Sequence, residues 1–260
     1  MKALLLAFLM MTVAQQAQAK LVTKKVEYRQ GETVLEGYLA YDDALKGKRP
    51  GVLVIHEWTG VSQYEMKRAE QLAGLGYVAF AADIYGKGVR PATPQAAAKE
   101  AAKYRGADRS LIRARAAAGL DKLASLPHVD PKRLAVIGYC FGGTAALELA
   151  RSGANVLGTV SFHGGLDTPN PADAKNIKGK VLALHGGDDP FVKPEQVAAF
   201  QQEMREAKVD WQMNIYGGAV HSFSNPKSGN DNSKGAAYNE KADHRSWQAM
   251  KQFFVEVFGK

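Results

Sequence analysis

The sequence predicts an α/β protein: one mostly parallel sheet with helices packed on both faces. Three observations carry this. Residues 51–56, 77–82, 134–138, 157–162 and 181–185 are nearly continuous apolar runs, as strands covered on both faces are. Most of them are separated by stretches with helical patterning, and alternation of strand and helix is how a parallel sheet reads in sequence. One of the strands runs through Gly138-Tyr139-Cys140-Phe141-Gly142-Gly143 into a helix, the pattern of a sharp strand-to-helix turn.

Composition fits this class. The chain has 260 residues, 46% hydrophobic and 23% charged, which supports a soluble domain with a sizeable core. Met1 and Lys2 precede an apolar run over residues 3–13, and Ala17-Gln18-Ala19 has the small-x-small form of a cleavage site. Residues 1–19 therefore read as a secretory signal peptide, too short to span a bilayer. The mature chain is expected to start at Lys20, to be periplasmic or secreted, and to lack any later membrane segment. No repeat or linker divides residues 20–260, which are expected to be one domain and a monomer. Cys140 is the only cysteine, so no disulfide can form within the chain. The formal charge is +8, of which Lys2 contributes one. No arginine-rich run with interleaved aromatics points to nucleic acid.

In chain order, residues 24–28 and 34–41 are strand-like runs joined by a turn at Gln30-Gly31-Glu32, expected as an antiparallel pair at a sheet edge. Residues 51–56 form the first buried strand, and a helix follows over 64–75, stopped by Gly76. The next buried strand is 77–82. Alanine-rich residues 95–104 and 108–125 read as two helices broken near Gly106, with helix propensity a sufficient reason for the alanines. After strand 134–138 a helix is expected from Thr144. Strands at 157–162 and 181–185 flank a loop at 164–178. A helix over 194–208, a strand over 211–216, a polar loop over 225–235 and a long helix over 236–258 complete the chain.

The chemistry centres on Cys140. A residue on so sharp a turn is strained and thrust outward at the positive end of a helix, where a thiolate is favoured and can act as nucleophile. Such a nucleophile needs a base, and the base an orienting acid. The strand ending at His185 leads to Asp188 and Asp189, and the strand ending at Tyr216 leads to His221. The order is therefore Cys140, then Asp188 or Asp189, then His221. His128 and His244 read as surface residues, and His163 and His185 as structural histidines at strand ends. No spacing suggests a metal site, and no cofactor is implied.

Gly138-Tyr139-Cys140-Phe141-Gly142-Gly143, Asp189-Pro190-Phe191-Val192, His221-Ser222-Phe223 and His56-Glu57-Trp58-Thr59-Gly60 together resemble the dienelactone hydrolase family, over about residues 21–258. The resemblance implies an α/β-hydrolase fold and hydrolysis of ester or lactone bonds in small, carboxylate-bearing molecules. It selects Asp189 over Asp188 as the acid. It assigns Glu57 to hold the resting thiol neutral until substrate arrives. The N–H groups of Trp58 and Phe141 are the expected oxyanion hole. Tyr85, Phe191, Phe223 and Asn225 are the expected substrate contacts. Asn225 stands where the family carries an arginine, and Lys99, Lys103 and Arg105 are candidates for the family's other arginine. A thioesterase, or a non-catalytic small-molecule binding protein on the same scaffold, are the alternatives.

Overall fold

The computed structural model describes residues 20–259; the expected signal segment lies outside the described residues. β1 (Leu21–Gln30) and β2 (Thr33–Asp42) form the expected antiparallel hairpin. β3 (Arg49–Ile55), α1 (Gln63–Gly74), β4 (Val78–Ala82), α2 (Pro94–Ala102) and α3 (Ser110–Ala124) follow. β5 (Val129–Tyr139) leads into α4 (Phe141–Arg151), then β6 (Gly158–Phe162), β7 (Lys180–Gly186), α5 (Pro194–Glu206), β8 (Trp211–Tyr216) and α6 (Glu240–Phe258). The strands make one eight-stranded sheet in the order β1-β2-β4-β3-β5-β6-β7-β8. The hairpin joins β4 antiparallel, and every pairing from β4 to β8 is parallel. This is the α/β-hydrolase arrangement expected from sequence.

Alternation along the strands divides the core. Val52 and Val54 of β3 pack with Leu72 of α1 and with Met250 and Phe254 of α6 on one face. Leu53 and Ile55 pack with Ile112 of α3 and Leu149 of α4 on the other. Val181 and Ala183 of β7 meet Leu147 of α4 and Phe200 of α5 on that second face. Side chains of opposite parity on one strand serve opposite layers, which is why these strands read as unbroken apolar runs.

Two helix starts differ from expectation by three residues or more. α4 begins at Phe141, three residues before Thr144, so Gly142 and Gly143 lie in its first turn. Close packing explains them: a Cβ on Gly142 would sit 2.2 Å from the Ile55 carbonyl oxygen, and one on Gly143 2.6 Å from Ser161 Oγ. α6 begins at Glu240 rather than at residue 236, capped by Asn239, whose side chain accepts from the Ala242 N–H at 3.1 Å. The residues before it are extended because they bond the His221 segment: His221 N–H donates to the Gly235 carbonyl and Ala237 N–H to the His221 carbonyl. The loops at 164–178 and 225–235 contain short 3₁₀ turns.

Candidate active site

The carboxyl ends of parallel strands collect at one edge of the sheet, where open α/β sheets bind their ligands. β5 ends at that edge on Cys140, whose backbone sits at φ 52°, ψ −116°. For a residue with a Cβ this is strained, and such strain persists only where the surroundings enforce it. Here the Cys140 N–H is held by the Phe162 carbonyl at 3.0 Å. Gly138 permits the tight passage of strand past helix, since a Cβ there would lie 1.9 Å from the Gly142 oxygen.

Cys140 Sγ lies 3.0 Å from His221 Nε2, and His221 Nδ1 lies 2.8 Å from Asp189 Oδ2. The other Asp189 oxygen accepts the Phe191 N–H at 2.9 Å, which locks the carboxylate in its turn. Asp188 points outward and is exposed. Burial disfavours charge on His221, but Cys140 and Asp189 outweigh it and push the imidazole up to about 10. A proton held on Nε2 leaves sulfur as the nucleophilic partner, so the line can support acyl transfer. The Phe141 N–H, the first of α4, has no intrahelical acceptor. Among the described residues the Trp58 N–H has none either. The Trp58 carbonyl accepts from the Tyr85 hydroxyl at 3.0 Å, and His56 Nδ1–H donates to the Glu57 carbonyl at 2.5 Å. These bonds set the loop that carries Trp58.

Glu57 is buried beside the cleft, but the structure gives it partners other than the thiol. Asn225 Nδ2 donates to it at 2.6 Å and Ser222 Oγ at 3.5 Å, while the thiol faces His221. In this conformation, with the thiol turned to His221, the Glu57 oxygens are engaged by Ser222 and Asn225 of the His221 loop rather than by sulfur. Burial, reinforced by Glu65, raises the Glu57 carboxyl to about 7. Glu65 is also the capping acid of α1, and it accepts the Glu57 N–H at 3.0 Å.

A pH test follows. A carboxyl whose folded value, about 7, lies above its ordinary 4.5 stabilises the fold fully below about pH 4.5, and that stability is lost as pH rises through 7. Glu57→Gln removes the dependence. Relative to wild type, the variant should gain stability between pH 5 and pH 8, by up to about 3 kcal/mol. Urea unfolding at the two pH values measures this, and an unchanged difference between the proteins would refute it.

Cys140 and His221 open on a cleft of about 1080 Å³, with Asp189 buried behind His221. Trp58 and Phe191 flank it, and Asn225 lines it. Two expected substrate contacts do not reach it. Phe223 is fully buried, packed edge-on against His163 and Tyr216, because its residue faces the α6 layer. Tyr85 is buried under Phe141 and spends its hydroxyl on Trp58. Conversely, Ala98 and Ala101 of α2 form part of the wall, so alanines read as helix formers also shape the cleft. Arg105, Lys227 and Lys234 line it as well. Arg105 pairs with Asp167 at 3.2 Å and Lys234 approaches Asp231 at 3.7 Å. Lys227 and Lys234 lie in the polar 225–235 loop, where only folding shows that they face the cleft. Lys99 and Lys103, the other sequence candidates, are not part of the wall.

The family model for the dienelactone hydrolase family matches residues 35–258. The chain belongs to this family. Among solved structures it is similar to the one named m3DLH, with 43% identity and a TM-score of 0.88 over 91% of this chain and 98% of that one. It is also similar to a dienelactone hydrolase-like promiscuous phosphotriesterase from metagenomic libraries, with 42% identity and a TM-score of 0.88 over 92% and 99% of the two chains. A protein of Aquifex aeolicus with a provisional carboxymethylenebutenolidase name is 27% identical, over 88% of this chain and 96% of its own length. This member of the dienelactone hydrolase family is a hydrolase enzyme on an α/β-hydrolase fold.

Proposed function

We propose that this dienelactone hydrolase-like enzyme is exported and cleaves ester or lactone bonds of small carboxylate-bearing molecules through Cys140. The observation that carries this reading is the line Cys140–His221–Asp189, with spacings of 3.0 and 2.8 Å, whose Cys140 and His221 line the cleft. Cys140 Sγ adds to the substrate carbonyl carbon, and the N–H groups of Trp58 and Phe141 receive the oxyanion. Collapse breaks the acyl–oxygen bond, and His221 Nε2–H protonates the departing alkoxide, leaving a thioester on Cys140. Water then gives a proton to His221, adds to the thioester carbonyl, and releases the acid and the thiolate. Asp189 keeps Nδ1 protonated and Nε2 aimed at sulfur.

Arg105, Lys227 and Lys234 give the cleft wall positive charge, which suits a carboxylate beside the scissile bond. Export is supported by the residue 1–19 pattern. Its expected product would place a free α-amino group at Lys20, where the backbone nitrogen already lies 2.9 Å from Asp42 Oδ1. Thioesters form the second acyl class. Phosphotriesters belong in the same substrate panel, because the 42% identical relative is named as a phosphotriesterase.

Intact-mass and peptide-mass spectrometry test the proposal together. Protein from its native host should have a mass beginning at Lys20. During turnover of a slow aryl ester it should carry one acyl group on the Cys140 peptide. An N-terminus at Met1 would refute export. Hydrolysis of the panel without an acyl group on Cys140, or no hydrolysis at all, would refute the cysteine mechanism.

A further inference from the structure

His163 directly follows β6 and is almost wholly buried, with its backbone at φ 40°. It is not part of the cleft wall, and the acyl-transfer steps do not use it. Its two ring nitrogens nevertheless bridge the two segments that must meet for catalysis. Nδ1 lies 3.1 Å from the Cys140 backbone nitrogen. Nε2 lies 2.7 Å from Ser224 Oγ, three residues beyond His221. The imidazole also meets the His221 ring, with centroids 5.4 Å apart and planes at 65°.

The hydrogen bonds determine its tautomer. The Cys140 N–H can only donate, so Nδ1 accepts and the ring proton sits on Nε2. Nε2–H therefore donates to Ser224 Oγ. Ser224 Oγ–H donates to Tyr64 Oη at 2.7 Å, and Tyr64 Oη–H donates to the Ser224 carbonyl at 3.2 Å. Arg68 Nη2 donates to the same carbonyl at 2.8 Å and is paired with Asp243 of α6. Every group in this chain is satisfied in one direction only. A second proton on His163 would destroy it, and both burial and the neighbouring His221 hold His163 well below the usual imidazole range.

Mere satisfaction of a buried donor does not explain the contact, because the Cys140 N–H already has the Phe162 carbonyl at 3.0 Å. The additional acceptor belongs to a side chain whose other end grips the His221 segment. That segment is otherwise a loop, tied to Gly235, Ala237 and Asn239 on its far side and to Glu57 through Ser222 and Asn225.

We propose that His163 is a positioning residue that sets the approach of His221 to Cys140, by bonding the nucleophile's own N–H through Nδ1 and Ser224 through Nε2. The inference rests on the reading of Cys140 as nucleophile and His221 as its base. Ser224 is the other half of the same device, and Tyr64 and Arg68 anchor it to α1.

The test compares His163→Phe, Ser224→Ala and the double variant. The readouts are kcat and KM for the best ester of the panel, iodoacetamide alkylation at pH 7, and thermal unfolding. His163→Phe should lower kcat about 100-fold, the usual effect of an ångström-scale misplacement, with KM unchanged. Alkylation should slow in both single variants, because a displaced His221 no longer draws the proton from sulfur. The double variant should be no slower than His163→Phe, since both substitutions break one device. Ser224→Ala, a small excision that leaves the ring in place, keeps the test available should His163→Phe fail to fold. Wild-type alkylation rates in folded variants, or multiplicative losses in the double variant, would overturn the proposal. Alkylation needs no turnover, so an enzyme inactive on every substrate would defeat the mechanism and still leave the positioning role readable.

Discussion

Cys140→Ala is expected to lower kcat by about 10⁶-fold on any ester that the wild type hydrolyses, by analogy with loss of the nucleophile in a serine hydrolase. The sulfur forms the bond that defines the intermediate, and no other nucleophilic side chain shares its position at the elbow. The aspartate and histidine would remain paired at 2.8 Å, and the cleft would keep its shape. KM should therefore change little, because the substrate's ground-state contacts are made by the cleft walls. What survives is binding and the oxyanion donors, which act without the thiol. Initial rates and KM for the two proteins decide the matter. A variant that keeps more than about a hundredth of the wild-type rate would show that another group attacks, since such a loss matches misplacement rather than deletion of a nucleophile.

Asp189→Asn should cost about 10⁴-fold in kcat, the scale found for the equivalent change in a serine triad. The asparagine would fill the same space, but its amide can donate to Nδ1 and so favour the imidazole tautomer with its proton missing from that nitrogen. Nε2 would then carry the proton and could not accept another. Loss of the carboxylate also removes one of the two influences that hold His221 protonated. Asp188→Asn serves as the internal comparison. Its side chain is exposed, and it should leave kcat within a few-fold of wild type. Parallel kinetics on the two variants measure the ranking, and equal losses would remove Asp189 from its role.

These two predictions separate what was legible in sequence from what was not. Cys140 was legible because its demands are local: a strand, a helix and glycines that prevent clashes within a few residues of it. His221 was legible from its place after the last strand. Asp188 and Asp189 follow the same strand and are chemically identical, so residue order alone left both open. The turn decides between them: one Asp189 oxygen caps the Phe191 N–H, which directs the other at His221. The partners that Glu57 takes in this conformation were not legible for a related reason. Its hydrogen-bond partners lie 165 and 168 residues away in the chain, and no short motif specifies which of several polar groups will meet there.

By itself the sequence determined the fold class, the strand and helix succession and the order of the reactive residues. Apolar periodicity and steric demands at turns act over a few residues, and they are written in the residues concerned. Only the tertiary structure decided that Phe223 is core rather than cleft, that Ala98 and Ala101 wall the cleft, and that Lys227 and Lys234 turn toward it. It likewise moved His163 from a strand-end histidine to the bridge between Cys140 and Ser224. Each of these depends on how separate segments pack against one another, and a side chain's neighbours across such a junction are set by the whole fold rather than by its own stretch of chain.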